Sequence, residues 1–293
     1  MLTRLPRKVF VGLLTTALLH AGPAAAQYSS VTDLGDLGGG ASVATSINAR
    51  GQVAGGSNRA GDSSVGAFVW QDGVMIDLGG GTSVALGINE HGQVVGLVYA
   101  ADLSSSSAFM WQKGVLTELP RLGGNYAAAV GINARGQIVG QSQTADGEYR
   151  AVMWENGAIT DLGTLGGGNG VAYAVNARGV ACGFSTLVSG EQRAARYAEG
   201  GIVDLGTLGG SVSQCLLGSN NRGQFVGSST IAGDVEFHAF VTVDGVMTDL
   251  NPQIPADSGW LLEYAYGLNE PGQIVGAGHR DGVAPSRAFL LSR

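Results

Sequence analysis

Aromatic rings, carboxylates and histidines gather at a few points of this 293-residue sequence: Tyr149-Arg150, Glu236 with His238, Trp260, and His279-Arg280-Asp281. Rings beside acids suit a sugar, the rings stacking on its apolar faces and the acids accepting its hydroxyls. These eight residues are the expected ligand-binding set. Related segments carry Arg59 and Asp62, Tyr99 and Asp102, Asp146 and Glu148, Glu191 and Arg193, Asp234, then Glu263, Tyr264 and Tyr266. Catalysis asks for more. A hydrolase or lyase acting on a polysaccharide would need paired acids, such as Glu236 and Asp281, about 5–10 Å apart. The sequence holds no H-E-x-x-H, no C-x-x-C and no G-x-S-x-G. His91, His238 and His279 lie in three different units, and a three-histidine metal site would need them to converge. No catalytic residue, metal or cofactor is therefore expected. A binding module leads, an extracellular enzyme on the same loops is the alternative, and a purely structural surface repeat is the third reading.

The elements that position these residues follow from a repeat. An apolar strand ends in Asn, and Gly follows three residues later: Ile47-Asn48-Ala49-Arg50-Gly51, Ile88-Asn89-Glu90-His91-Gly92 and Ile132-Asn133-Ala134-Arg135-Gly136. The later copies are centred on Asn176, Asn220 and Asn269, and the six asparagines are spaced 41, 44, 43, 44 and 49 residues apart. An Asn side chain there can bond its own backbone two residues on and fix the turn. A second signature, Ala67-Phe68-Val69-Trp70, returns at Ala108, Ala151, Ala195, Ala239 and Ala288. After a short Gly-containing turn, a third strand ends in Asp-Leu, as at Asp77-Leu78, Asp161-Leu162 and Asp204-Leu205. The Asp is expected to cap its loop through backbone amides rather than bind a cation.

Each unit thus reads as four short strands: a (43–47), b (52–56), c (67–70) and d (74–78) in the first copy. Four strands in about 40–45 residues is the arithmetic of a propeller blade. The fold class predicted is all-β, a six-bladed β-propeller of roughly 43-residue repeats. Val31-Thr32-Asp33-Leu34 matches strand d with no strand c before it, so it is expected to complete the last blade and close the ring; if d instead begins each unit, no strand swap is needed and the count is still six blades. A β-solenoid is the rival, although its rungs are usually shorter. If strands alternate, the b–c and d–a connections share one rim, and the variable b–c loops carry the candidate residues.

The combination of Asp-Leu-Gly-Thr-Leu-Gly-Gly, Ile-Asn-x-x-Gly-Gln-x-Val-Gly and Ala-Phe-x-Trp resembles the bacterial HAF family of extracellular repeats, over Val31 to Leu291. The resemblance implies export and a repeated β fold, and it brings no activity or ligand with it. The family's namesake His occurs once, at His238-Ala239-Phe240, while Gly66, Ser107, Arg150 and Arg287 stand in its place elsewhere. That departure argues against chemistry carried by this His.

Composition sets the class and compartment. Gly numbers 50, and charged residues are 13% of the chain, against a usual ~25%. Fifty glycines would cost about 1 kcal/mol each in helix interiors, which excludes a helical bundle. Residues 1–26 read as a secretory signal: Arg4, Arg7 and Lys8, an apolar Val9 to Leu19, then Ala24-Ala25-Ala26 before Gln27. Its loss would leave residues 27–293 as one domain. Removing three of 16 basic residues against 23 acidic ones takes the net charge to −10. A phosphate backbone would be repelled, so nucleic acid is excluded, as is membrane insertion after cleavage. A secreted or periplasmic monomer binding a glycan, a cell-surface component or a protein is expected. Cys182 and Cys215 fall on neighbouring units, where a disulfide and two buried thiols are both open readings.

Overall fold

Alternating apolar residues, broken by glycine at regular intervals, give strands and almost nothing else. The structure, a computed structural model, describes residues 32–293 apart from Asp62, Ser63, Gly282 and Arg293. The expected signal, 1–26, lies outside the described residues, as does Val31 of the expected closing strand. Thr32, Asp33 and Leu34 carry no strand.

Sheet I consists of β1 (Gly38–Ile47), β2 (Val53–Arg59), β3 (Val65–Gln71) and β4 (Val74–Asp77). Sheet II holds β5 (Ser83–Ile88), β6 (Val94–Tyr99), β7 (Ser106–Gln112) and β8 (Val115–Glu118). Sheet III holds β9 (Gly123–Ile132), β10 (Ile138–Thr144), β11 (Tyr149–Glu155) and β12 (Ala158–Asp161). Sheet IV holds β13 (Gly166–Val175), β14 (Ala181–Leu187), β15 (Gln192–Ala198) and β16 (Gly201–Asp204). Sheet V holds β17 (Gly209–Ser219), β18 (Phe225–Ile231), β19 (Phe237–Val243) and β20 (Val246–Asp249). Sheet VI has three strands, β21 (Trp260–Leu268), β22 (Ile274–Arg280) and β23 (Val283–Leu291). Strands lie in chain order and antiparallel, and one parallel pairing, Ser106 with Tyr126, joins sheets II and III. The strands run longer than expected; β1 starts at Gly38 because the glycine-rich lead-in pairs as far as Arg59.

The turns explain the glycines. Asp72-Gly73, Lys113-Gly114, Asn156-Gly157 and Asp244-Gly245 all have two consecutive positive φ angles. This is the I′ hairpin geometry that matches strand twist. At the a–b turns the anchor Asn does more than fix its own loop. In sheets I to V its Oδ1 accepts the N–H groups two and four residues on, such as Arg135 and Gln137 for Asn133. In sheets I to III its Nδ2 donates to the Gln four residues on and to the carbonyl of the next unit's Asn: Asn48 to Asn89, Asn89 to Asn133, Asn133 to Asn176, at 2.9–3.0 Å. The sequence thereby stitches sheet to sheet with buried bonds.

The ladder stops at Asn176, whose buried Nδ2 has no hydrogen-bond partner. Val180 stands where Gln52, Gln93, Gln137, Gln224 and Gln273 supply the acceptor. Val180→Gln restores that acceptor and is expected to add about 1 kcal/mol, a rise of a few degrees in the melting midpoint. A calorimetric scan showing no rise would remove this account of the orphaned donor.

Apolar side chains fill the seams between consecutive sheets. Ala54, Val69 and Leu78 of sheet I meet Ala85, Ile88 and Phe109 of sheet II, and four similar clusters follow along the chain. Residues Leu34–Arg293 form one compact unit. At the fourth seam Cys182 of β14 and Cys215 of β17 are joined by a disulfide, with Cα atoms 5.7 Å apart.

Candidate functional site

The rim formed by the b–c and d–a connections is held by short side chains. A serine on strand b accepts the N–H of the second Leu in four of the lead-ins: Ser57 from Leu37, Ser142 from Leu122, Ser185 from Leu165 and Ser229 from Leu208. The Asp ending strand d accepts the N–H two residues on, as Asp77 from Gly79, Asp161 from Gly163 and Asp204 from Gly206. The recurring acids therefore act as loop caps. Among the described residues no group of three or more His, Cys, Asp or Glu could hold a metal ion.

On this frame the rim cations are matched with acids of their own sheet. Arg59 makes a two-pronged pair with Asp77 at 2.6 and 2.8 Å. Arg150 pairs with Glu148, and Arg193 with Glu191 at 3.0 Å. In sheet V His238 stands at the same place between two acids, with Nδ1 2.7 Å from Asp249 and Nε2 3.3 Å from Glu236. In sheet VI His279 Nδ1 lies 2.6 Å from Glu263, and Arg280 lies 3.7 Å from Asp281. The hydrogen bonds from Arg59, opposed by partial burial, hold the Asp77 carboxyl below its usual 3.8. A depressed native pKa contributes stability above the unfolded value and loses it as pH falls through the native value. The difference in melting midpoint between wild type and Asp77→Asn should therefore be present at pH 7 and shrink steadily below about pH 4. A difference that stays constant from pH 7 to pH 2 would show that the pair contributes nothing through charge.

The eight expected ligand residues separate into several small contacts. Tyr149 packs edge-on against Tyr126, with ring centroids 5.5 Å apart. Trp260 sits edge-on to Phe289, at 6.3 Å, and lines the core between sheets V and VI. Glu236 engages His238, whereas Asp281 engages Arg280 and the Gly259 carbonyl; no bond joins the two carboxylates among the described residues. His238 and His279 belong to separate acid pairs.

One cluster draws several candidates together. Phe237 of β19 reaches across to Tyr264 of β21, with ring centroids 5.5 Å apart, and Tyr264 stacks on Tyr266 at 6.1 Å and 12°. Glu263, beside them, is held by His279 and by the Ser286 hydroxyl. Burial first, then the Glu263 and Tyr266 charges, push the Tyr264 phenol above its usual 10.0, so it stays a neutral donor. Tyr266 is exposed. The result is a row of three rings with an oriented carboxylate at its side. Sequence reasoning had the tyrosines and acids and missed Phe237, which looks like an ordinary strand residue until its neighbour across the seam is known.

Two grooves open at the other end of the sheets. One of about 820 Å³ between sheets III and IV is lined by Arg135, Arg178, Glu155, Glu199, Met153 and Tyr197. One of about 480 Å³ between sheets V and VI is mixed, with Leu250, Ile254, Leu268 and Leu291 on its walls beside Gln224, Thr248 and Gln253. Neither was foreseen, because their residues belong to regular turns and strands of the repeat.

No protein-family model matches the chain, and no curated protein matches it. Among solved structures it is similar to TolB from Acinetobacter baumannii, with a TM-score of 0.51 and 13% identity over 82% of this chain. The chain spans 60% of the length of that TolB structure. A mutant of AofleA from Arthrobotrys oligospora aligns over 86% of this chain and 73% of its own, at 12% identity and a TM-score of 0.35, too distant to bear on the fold. The TolB likeness is one of β-propeller fold.

Proposed function

We propose that the chain is an exported β-propeller binding module that holds a saccharide of a glycan or cell-surface polymer along β21, beside the rim between sheets V and VI. The observation that carries the reading is the Phe237–Tyr264–Tyr266 row with Glu263 fixed beside it by His279. Rings offer flat apolar area at small entropic cost, and an oriented carboxylate accepts hydroxyls. The six sheets are the six blades, residues 27–293 are one domain working as a monomer, and residues 1–26 are the export signal. The HAF-like repeats and the disulfide fit an oxidising compartment. Rim cations already matched with acids favour holding a neutral ligand over catalysis.

The test is a thermal-shift screen of residues 27–293 against neutral and acidic oligosaccharides. A ligand at about 100 times its Kd adds about 2.7 kcal/mol, a rise of several degrees. Tyr264→Ala with Tyr266→Ala should weaken the responding sugar tenfold or more, about 1.4 kcal/mol, and the sugar should be recovered intact. A screen without any response, or a double variant that binds as well as wild type, defeats the saccharide reading. A cleaved sugar would turn the proposal towards an enzyme.

A further inference from the structure

The five seams are built alike. At each one a residue of strand b meets a small residue on strand a of the next sheet: Ala54 and Ala85, Val95 and Ala129, Val139 and Ala172, Cys182 and Cys215, Val226 and Ala265. All ten are completely buried. Register places Ala44 of sheet I and Val275 of sheet VI at the same two positions. Ala44 lies opposite Gly55 as Ala85 lies opposite Gly96, and Val275 lies opposite Leu290 as Val226 lies opposite Val241. Here, however, the positions face water. Ala44 is exposed. Val275 is 47% exposed where Val226 is 0%, Ile47 is 66% where Ile88 is 7%, and Leu290 is 50% where Val69 is 4%.

We propose that the face of sheet VI carrying Val275 and Leu290 takes the face of sheet I carrying Ala44 and Ile47, from the same chain, as a sixth seam. This rests on the six-blade reading above. The two faces are complementary because each is one half of a junction that the chain already makes five times, with the same residue sizes in the same register. Both are apolar, and leaving Ile47, Val275 and Leu290 in water forfeits what their counterparts gain by burial. A second copy could offer the same face, but a covalently connected partner competes at an effective concentration in the millimolar range. The chain's own sheet I is therefore the occupant.

The native disulfide supplies the test, since Cys182 and Cys215 occupy in the fourth seam the positions that Val275 and Ala44 occupy at the two ends. The double variant A44C/V275C, as purified full chain, is oxidised with diamide and its linkages are mapped by peptide mass spectrometry. A link between positions 44 and 275 within a monomer is the result expected. Covalent dimers joined through those positions, or both thiols left free to alkylate, overturn it. A second measurement does not depend on that variant: V275K should lower the melting midpoint by several degrees more than V246K, placed on an exposed outer strand. Equal effects of the two lysines count against the seam. A seam that fails while rim variants still alter sugar binding leaves the binding reading standing, and a seam that links in a protein deaf to sugars strikes only that reading.

Discussion

Asn133→Ala should lower the melting midpoint by about 6–12 °C, as large an effect as any single side chain in the ladder should give. Asn133 is buried and its side chain makes four bonds: Oδ1 accepts from the Arg135 and Gln137 amides, and Nδ2 donates to Gln137 and to the Asn176 carbonyl. Truncation leaves the Arg135 and Gln137 backbone N–H groups without partners and removes the bond to the next sheet, although the Asn176 carbonyl keeps the Gly179 N–H. Each such group costs about 1–3 kcal/mol, and partial relaxation brings the sum to about 3 kcal/mol. Asn269 offers an internal control. It is exposed and its side chain bonds only within its own turn, so Asn269→Ala should cost about 1 kcal/mol. Scanning calorimetry of the two variants side by side decides the matter. Equal losses would mean that the bonds from sheet to sheet carry no weight.

Removing the disulfide should be comparably severe. Cys182 and Cys215 are 33 residues apart in sequence and fully buried. Restricting a loop of that length in the unfolded chain is worth about 3–4 kcal/mol in the loop-entropy account. The double variant Cys182→Ser with Cys215→Ser adds the desolvation of two hydroxyls, so its midpoint should fall by about 8–15 °C. Wild type scanned with and without a strong reductant, under conditions where alkylation proves reduction complete, gives the same comparison without mutation. A midpoint that does not move on complete reduction would show that the bond merely decorates an already rigid seam.

Much of this was legible in the residues because it is local. Asn-x-x-Gly writes its own turn, since the side chain, the amides it binds and the glycine with positive φ lie within five residues. Asp-Leu-Gly likewise caps its own loop. The six asparagines and six Ala-led strands mark six units by their spacing alone. What stayed hidden depends on partners a whole unit away. Asn48 Nδ2 reaches a backbone carbonyl 41 residues on, and a carbonyl leaves no mark in a sequence. The Ser57, Ser142, Ser185 and Ser229 row was visible in principle, since serine recurs at one register position, yet it reads as ordinary strand polarity. Phe237 joins Tyr264 only because two sheets meet, and the matching of Arg59 with Asp77 likewise needs the loops folded onto one rim.

The asparagine ladder breaks where the disulfide sits: Asn176 is the last member and the orphan, and the covalent bond crosses from sheet IV to sheet V. In a chain of stacked units, cooperativity is set by coupling between nearest neighbours, and the weakest junction decides whether the array melts as one body or in parts. At the IV–V seam, where the ladder lacks its asparagine bond, a covalent one stands instead, and it is the seam contact that answers to the redox state of the surroundings. Reduction leaves packing to couple sheet IV to sheet V, so the cooperativity of the array depends on the medium as well as on the sequence.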